Sequence, residues 1–77
     1  MGQVGQNLIG GRVKEARGKA QLTQEELSER VAKFGAAIDR AGIAKVEMGI
    51  RGVLDFELVA LARALNVKVG WLLGVKE

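Results

Sequence analysis

Apolar residues recur every three or four positions along most of this chain, the spacing that places side chains on one side of an α-helix. The first stripe consists of Ile9, Val13, Ala16 and Ala20. Asn7 is a suitable N-cap before it, and we expect the helix to end at Arg17 or Gly18. Two glycines in the first turns, Gly10 and Gly11, each cost about 1 kcal/mol relative to alanine, so the start of this helix is weakly specified.

The second helix begins with a capping box, in which Thr23 and Glu26 satisfy each other's backbone N–H groups. Its predicted buried residues are Leu27, Val31 and Phe34, at positions i, i+4 and i+7. Ser28 lies between them and is small enough for another helix to approach. Gly35 can adopt the left-handed conformation that ends a helix.

A link of residues 36–38, with Ile38 as a buried anchor, leads to the next N-cap, Asp39. The third helix is predicted to run to Glu47 or Met48, where Gly49 stops it. Its strongly inward residues are Ile43 and Val46, while small residues fill most of its outer side. Two short amphipathic helices joined by a glycine-bearing turn predict a helix-turn-helix over about residues 23–48.

Residues 50–54 form a predicted loop, after which Asp55 caps a fourth helix, Phe56 to Leu65. The core stripe of that helix is Leu58, Leu61, Ala62 and Leu65. Asn66 ends it, and a short fifth helix is predicted from Val67 to Leu73, stopped by Gly74. We therefore expect a compact all-α domain of five helices spanning residues 1–77, with residues 1–6 frayed.

Composition removes most enzyme classes, because the 77 residues include neither Cys nor His. Thiol nucleophiles, imidazole bases, zinc clusters and disulfides are all absent, and no enzyme, metal or cofactor is expected. The net charge is +3, concentrated in residues 12–19 and in the region around the third helix. No apolar run approaches the roughly 20 residues that span a bilayer, and no signal peptide is visible. A cytoplasmic, nucleoid-associated protein is expected.

Several short runs resemble the Xre/Cro family of phage repressors and small bacterial regulators. They are Leu22-Thr23-Gln24-Glu25-Glu26-Leu27, Ile43 to Arg51, and Leu61 to Val67 followed by Trp71-Leu72-Leu73. The resemblance covers roughly residues 8–74 and implies a lambda-repressor-like fold that binds double-stranded DNA. One departure is that about five additional residues lie between the start of the second helix and Glu47, so either that helix or the turn is longer.

The resemblance also implies that the third helix, about Asp39 to Glu47, reads base edges in the major groove. The base-contacting residues would be Arg40, Ala41, Ala44 and Lys45. Arg40 could bind guanine O6 and N7 together, which is worth about 1–3 kcal/mol of discrimination, and Ala41 could touch a thymine methyl. The alternative is that Arg40 and Lys45 are solvated surface charges.

Six residues are predicted to contact DNA phosphates: Arg12, Lys14, Arg17, Thr23, Gln24 and Arg51. Thr23 and Gln24 begin a helix, where N–H groups and the helix dipole favour an anion. For Thr23 the alternative is a purely capping role, and for the basic residues it is scattered surface charge. By resemblance, Arg17 and Glu47 form an ion pair that orients the third helix.

A single domain reads few base pairs, so a homodimer on a palindromic operator is expected. Its candidate contacts are Val53, Leu54, Val69 and Trp71, although Trp71 is an equal candidate for the core. The predicted function is a transcriptional regulator, in particular a repressor, with no small-molecule effector evident. The alternative is an antitoxin or adaptor that uses the same fold to bind another protein.

Overall fold

The computed structural model describes residues 8–75, and within this range the chain forms five helices and no strand. These are α1 (Gly10–Lys19), α2 (Gln24–Lys33), α3 (Arg40–Glu47), α4 (Asp55–Leu65) and α5 (Val69–Leu72). The all-α prediction is therefore confirmed. No helix in the described part of the chain is long and apolar enough to cross a membrane.

Every helix contributes to one core. Its fully buried members include one residue from each helix in turn: Val13, Leu27, Ile43, Leu61 and Leu72. Helix α2 packs against α3 and α4, and α1 packs against α3, α4 and α5. As a result, α3 is held on two sides, by α1 and by α2, and its remaining side faces outward.

The ends of α2 and α3 follow the local signals in the sequence. Both halves of the capping box are present, since the Glu26 N–H donates to Thr23 Oγ1 at 3.0 Å and the Thr23 N–H donates to Glu26 Oε1 at 2.8 Å. Asp39 caps α3 by accepting from the Gly42 N–H at 2.7 Å. Gly35 and Gly49 have the positive φ angles expected of helix-ending glycines.

The connection between α2 and α3 is longer than a tight turn, because residues 34–39 separate the two helices. Ile38 is buried in this connection as predicted, and Ala36 is buried beside it. The backbone of Ile38 is held as well, because Ser28 Oγ donates a hydrogen bond to the Ile38 carbonyl oxygen at 2.6 Å. Phe34 was predicted to be buried, and this is wrong: it is 46% exposed, because α2 ends at Lys33 and the chain turns away.

Three further boundaries differ from prediction. Helix α1 begins at Gly10 with Ile9 at its N-cap, while the predicted cap Asn7 and the frayed residues 1–6 lie outside the described residues. Helix α1 ends at Lys19, just beyond the predicted Arg17 or Gly18, and Ala20, which was predicted to continue the apolar stripe, is exposed. Asp55 is the first residue of α4 and Leu54 is the N-cap.

Helix α5 is also shorter than predicted, because it runs from Val69 to Leu72 and not from Val67 to Leu73. Asn66 ends α4 as expected, in the left-handed conformation, and residues 67 and 68 form the short connection between α4 and α5. Within α4, Leu61, Ala62 and Leu65 are buried, and Leu58 is half-buried against the core.

Candidate nucleic-acid interface

The outward side of α3 carries small and basic residues. Ile43 and Val46 are fully buried, and Arg40, Ala41 and Lys45 are exposed on the opposite side, with Ala44 half-buried between them. Because residues i, i+1, i+4 and i+5 share one side of a helix, these four form a single surface. We call Arg40, Ala41, Ala44 and Lys45 the α3 face.

The packing around the first turn of α3 explains why residue 42 is a glycine. A Cβ atom there would lie 2.9 Å from Ile38 Cγ2 and 3.0 Å from Asp39 Oδ1, closer than side chains normally tolerate. The buried anchor of the connection and the N-cap carboxylate therefore both fit against the first turn of α3 because residue 42 has no side chain. The glycine lowers intrinsic helix stability, and its absence of a side chain lets the cap form.

Glu47, the last residue of α3, joins three helices. Its carboxylate accepts from Arg17 Nε at 2.6 Å and Nη2 at 3.1 Å, and from Gln24 Nε2 at 3.1 Å. Arg17 Nη1 also donates to the Leu22 carbonyl at 2.8 Å. We call Arg17, Gln24 and Glu47 the Glu47 network; it connects α1, the start of α2 and the end of α3.

Burial makes the Glu47 network more than a surface ion pair. The Glu47 side chain is 4% exposed and the Arg17 side chain is 18% exposed. The hydrogen bonds to Glu47 raise the pKa of the Arg17 guanidinium, against the opposing effect of desolvation. A bidentate arginine–carboxylate pair is directional as well as attractive, so it fixes the orientation of α3 relative to α1.

The N-terminus of α2 lies beside the C-terminal end of α3, since Gln24 is its first residue and contacts Glu47. The capping box occupies the N–H groups of Thr23 and Glu26. The N–H groups of the two intervening residues, Gln24 and Glu25, belong to the orphan donors that every helix start carries. This end of α2 therefore presents backbone donors near the C-terminal end of α3.

A second ion pair holds the loop after α3. Arg51 Nη1 and Nη2 donate to Glu57 Oε1 and Oε2 at 3.0 and 3.1 Å, and the Leu54 N–H donates to Glu57 Oε1 at 3.0 Å. The Glu57 side chain is only 7% exposed. Hydrogen bonds from Arg51, and then from the Leu54 backbone, lower the pKa of Glu57 although burial alone would raise it.

A comparison with protein families agrees with this architecture: the sequence model of the helix-turn-helix family matches residues 13–72. That range begins inside α1 and ends with α5. The chain belongs to the helix-turn-helix family, of the Xre/Cro and lambda-repressor-like type. It is a DNA-binding domain of a regulatory class that is generally not enzymatic. A search among curated proteins finds no match.

In this helix-turn-helix domain, the predicted phosphate contacts fall on different sides. Lys14 is exposed and follows Gly10 by four residues, and Gly10 packs against the α3 backbone, so Lys14 lies on the α3 side of α1. Arg12 lies elsewhere, with its guanidinium 5.0 Å from the centre of the Trp71 ring. The structure therefore brings Lys14 towards α3 and Arg12 towards α5.

The other predicted phosphate contacts already have partners within the domain. Arg17 and Gln24 bind Glu47, Arg51 binds Glu57, and Thr23 caps α2. For each of the three longer side chains, the structure supplies a role in holding elements around α3. Their direct contact with DNA stays a prediction.

The predicted dimer contacts are unequally accessible. Val53, Val69 and Trp71 are half-buried and pack against the core. Leu54 is 60% exposed, and Phe56, which was not predicted, is 53% exposed two residues later. Leu54 and Phe56 therefore expose apolar surface where the α3–α4 loop enters α4 of this helix-turn-helix domain.

Glu57 is the residue that sequence reasoning missed. It is buried, and it binds both Arg51 and the loop backbone. One signal was available: a glutamate three residues after the N-cap commonly reaches back to the N-cap N–H. The contact of Arg51 with the same carboxylate depends on the path of the loop, so no local sequence motif predicts it.

Proposed function

We propose that this protein is a sequence-specific transcriptional regulator that inserts the α3 face into the major groove of double-stranded DNA. Two observations together support the proposal. The outward side of α3 carries small and basic residues, and the Glu47 network fixes the orientation of that helix. A helix enters the groove only if its outer side chains are low or can bind base edges. The α3 face meets both conditions.

Base recognition is assigned to the N-terminal half of the α3 face. Arg40 is exposed in the first turn and offers bidentate donors for guanine, while Ala41 next to it offers a methyl group for thymine. Ala44 and Lys45 lie one turn further along the same side. Small side chains at 41 and 44 allow the helix backbone to approach the base edges closely.

Phosphate binding is assigned to two places beside α3. The first is the start of α2, where the N–H groups of Gln24 and Glu25 accompany the positive end of the helix dipole. The second is Lys14, on the α3 side of α1. The exposed Glu25 and Glu26 side chains oppose an anion at the start of α2, so Lys14 supplies the stronger salt dependence.

Arg17, Gln24 and Arg51 are proposed as positioning residues that also lie near the DNA backbone. Their side chains hold α3 and the following loop through Glu47 and Glu57. Arginine retains further N–H groups when it binds one carboxylate in bidentate fashion. Substitution of these residues should weaken binding to all DNA sequences alike.

The protein is proposed to act as a homodimer on a palindromic operator, in the cytoplasm. With eight residues, α3 is roughly 12 Å long and spans roughly three or four base pairs, too few for a specific site. Two-fold pairing doubles the sequence that is read. A dimer that occupies its operator excludes other proteins from that DNA, which favours repression.

The test is selection of bound sequences from a random duplex pool at two salt concentrations. The wild type should enrich a two-fold symmetric motif, and Arg40→Ala should relax preference at one position per half-site, a loss of about 1–3 kcal/mol in discrimination. Arg63→Ala, an exposed arginine on α4, is the matched control and should retain the motif. An unchanged motif in Arg40→Ala overturns the base assignment, and no enriched motif at all would favour the adaptor function.

A further inference from the structure

A groove lies on the side of α1 that faces away from α3, between α1, the α2 residue Arg30 and the connection between α4 and α5. Its volume is about 1010 Å³, at the upper end of the usual range for small-molecule sites. Arg12 lines this groove, whereas Lys14 lies on the opposite side of α1. The groove is therefore separate from the α3 face.

Among the residues that the structure describes, the charged ones that line the groove are all basic. They are Arg12, Lys19, Arg30 and Lys68, from α1, α2 and the α4–α5 connection. An acidic side chain lies nearby, since Glu15 contacts Lys19 at 3.2 Å, but both partners of that pair are largely exposed. Four cations around one concavity favour an anionic occupant.

The remaining lining is mostly apolar and includes Leu65, Val67 and the ring of Trp71. Arg12 lies over that ring, 5.0 Å from its centre, so its guanidinium is held at the wall of the groove. A concave apolar floor with basic edges fits a short apolar body that ends in a negative group.

We propose that this groove binds a small organic anion, a carboxylate or phosphate attached to an apolar body. The body would pack on Trp71 and Val67, and the anionic end would bind Arg30 and Arg12. The inference does not depend on the proposed DNA recognition, because the groove and the α3 face share no residue. The groove would give this domain a small-molecule effector, although none was evident from its sequence.

Trp71 makes the proposal directly testable, because it is the single tryptophan of the chain and lines the groove. Octanoate is the probe, titrated below its micelle-forming concentration while Trp71 fluorescence is recorded. Octan-1-ol has the same chain without the charge, and inorganic phosphate has charge without the chain. A saturable change with octanoate, much weaker with either control, is the expected result.

Two variants localise the anion. Arg30→Gln should weaken octanoate binding about tenfold, the loss expected for one charge-assisted contact. Lys14→Gln, an exposed lysine on the far side of α1, should bind as the wild type does. Both sites are exposed, and circular dichroism verifies that both variants remain folded.

Several results would overturn the proposal. They are equal affinity for octan-1-ol, no saturable fluorescence change with octanoate, and unchanged octanoate affinity in Arg30→Gln. Weakening of the same size in Lys14→Gln would show a general charge effect and not a site. Tighter binding of a hexaglutamate peptide than of octanoate would assign the groove to an acidic protein segment instead.

Discussion

At the scale of single residues, Gly10 lies directly against the backbone of α3. A Cβ atom at this position would lie 2.5 Å from the Val46 carbonyl oxygen and 2.9 Å from that of Glu47. The absence of a side chain therefore allows the first turn of α1 to lie directly on the last turn of α3. Arg17, two turns later on α1, reaches Glu47 from this position.

Gly10 and Gly11 form a matched pair for testing this contact. Gly10→Ala should lower the free energy of unfolding by about 1–3 kcal/mol, because carbonyl groups of α3 must move. Gly11→Ala should raise it by about 0.5–1 kcal/mol, because nothing lies within 4 Å of a Cβ atom there and alanine favours the helix. Urea unfolding followed by circular dichroism measures both; stabilisation by both substitutions would show that α1 does not press on α3.

These residues also show what the sequence can and cannot predict. The Asp39 cap and the Gly49 stop depend on neighbours within a few positions, and both were predicted. The burial of Phe34 was predicted from helical spacing, which fails as soon as the chain leaves the helix. The need for glycine at position 10 arises from residues 46 and 47, which lie far along the chain. The local sequence pattern therefore shows only that this glycine lowers the stability of α1, and not why a glycine is needed there.

At the scale of elements, the α3–α4 loop is held by one buried carboxylate. Glu57 binds the Arg51 guanidinium and the Leu54 N–H, and Arg51 also donates to the Gly52 carbonyl at 2.9 Å. The loop therefore leaves α3 in a fixed direction before α4 begins. Because Leu54 and Phe56 lie in this segment, the same carboxylate sets the position of the exposed apolar surface.

Glu57 should make the stability of the domain sensitive to acid. Its pKa is lower in the folded protein than in the unfolded chain, chiefly because of Arg51. Its contribution is therefore complete above the unfolded pKa, near 4.3, and is lost as the pH falls through the lower folded pKa. Between pH 7 and 5, Glu57→Gln should be less stable than the wild type by a constant amount, and the difference should shrink on further acidification.

Urea unfolding at a series of pH values measures this difference. Glu29→Gln removes an exposed carboxylate of α2 and is the control, with little change in stability at any pH. A Glu57→Gln deficit that stays constant down to pH 2 would mean that Glu57 stabilises the loop by packing and not through its charge.

At the scale of the whole molecule, the basic α3 face is followed along the chain by a segment with exposed apolar side chains. The α3 face carries Arg40 and Lys45, and the adjoining loop carries Leu54 and, at the start of α4, Phe56. Exposed large apolar side chains that lie close together indicate contact with another protein surface. Two-fold pairing through this segment would place two α3 helices in one assembly, each still open to DNA.

The homodimer hypothesis is tested at Leu54, the most exposed of its predicted contacts. Burial of a leucine contributes about 1.5–3 kcal/mol, and in a two-fold interface each substitution counts twice. Leu54→Gln should therefore raise the dimer dissociation constant at least about a hundredfold, measured by sedimentation equilibrium without DNA. Phe34→Gln alters an exposed apolar residue in the α2–α3 connection and should leave association unchanged.

On DNA, Leu54→Gln should weaken binding to a full palindrome while binding to an isolated half-site persists, because the α3 face is intact. Equal association of Leu54→Gln and wild type would place the dimer contact elsewhere, and a wild type that stays monomeric at all concentrations would refute the homodimer in the absence of DNA.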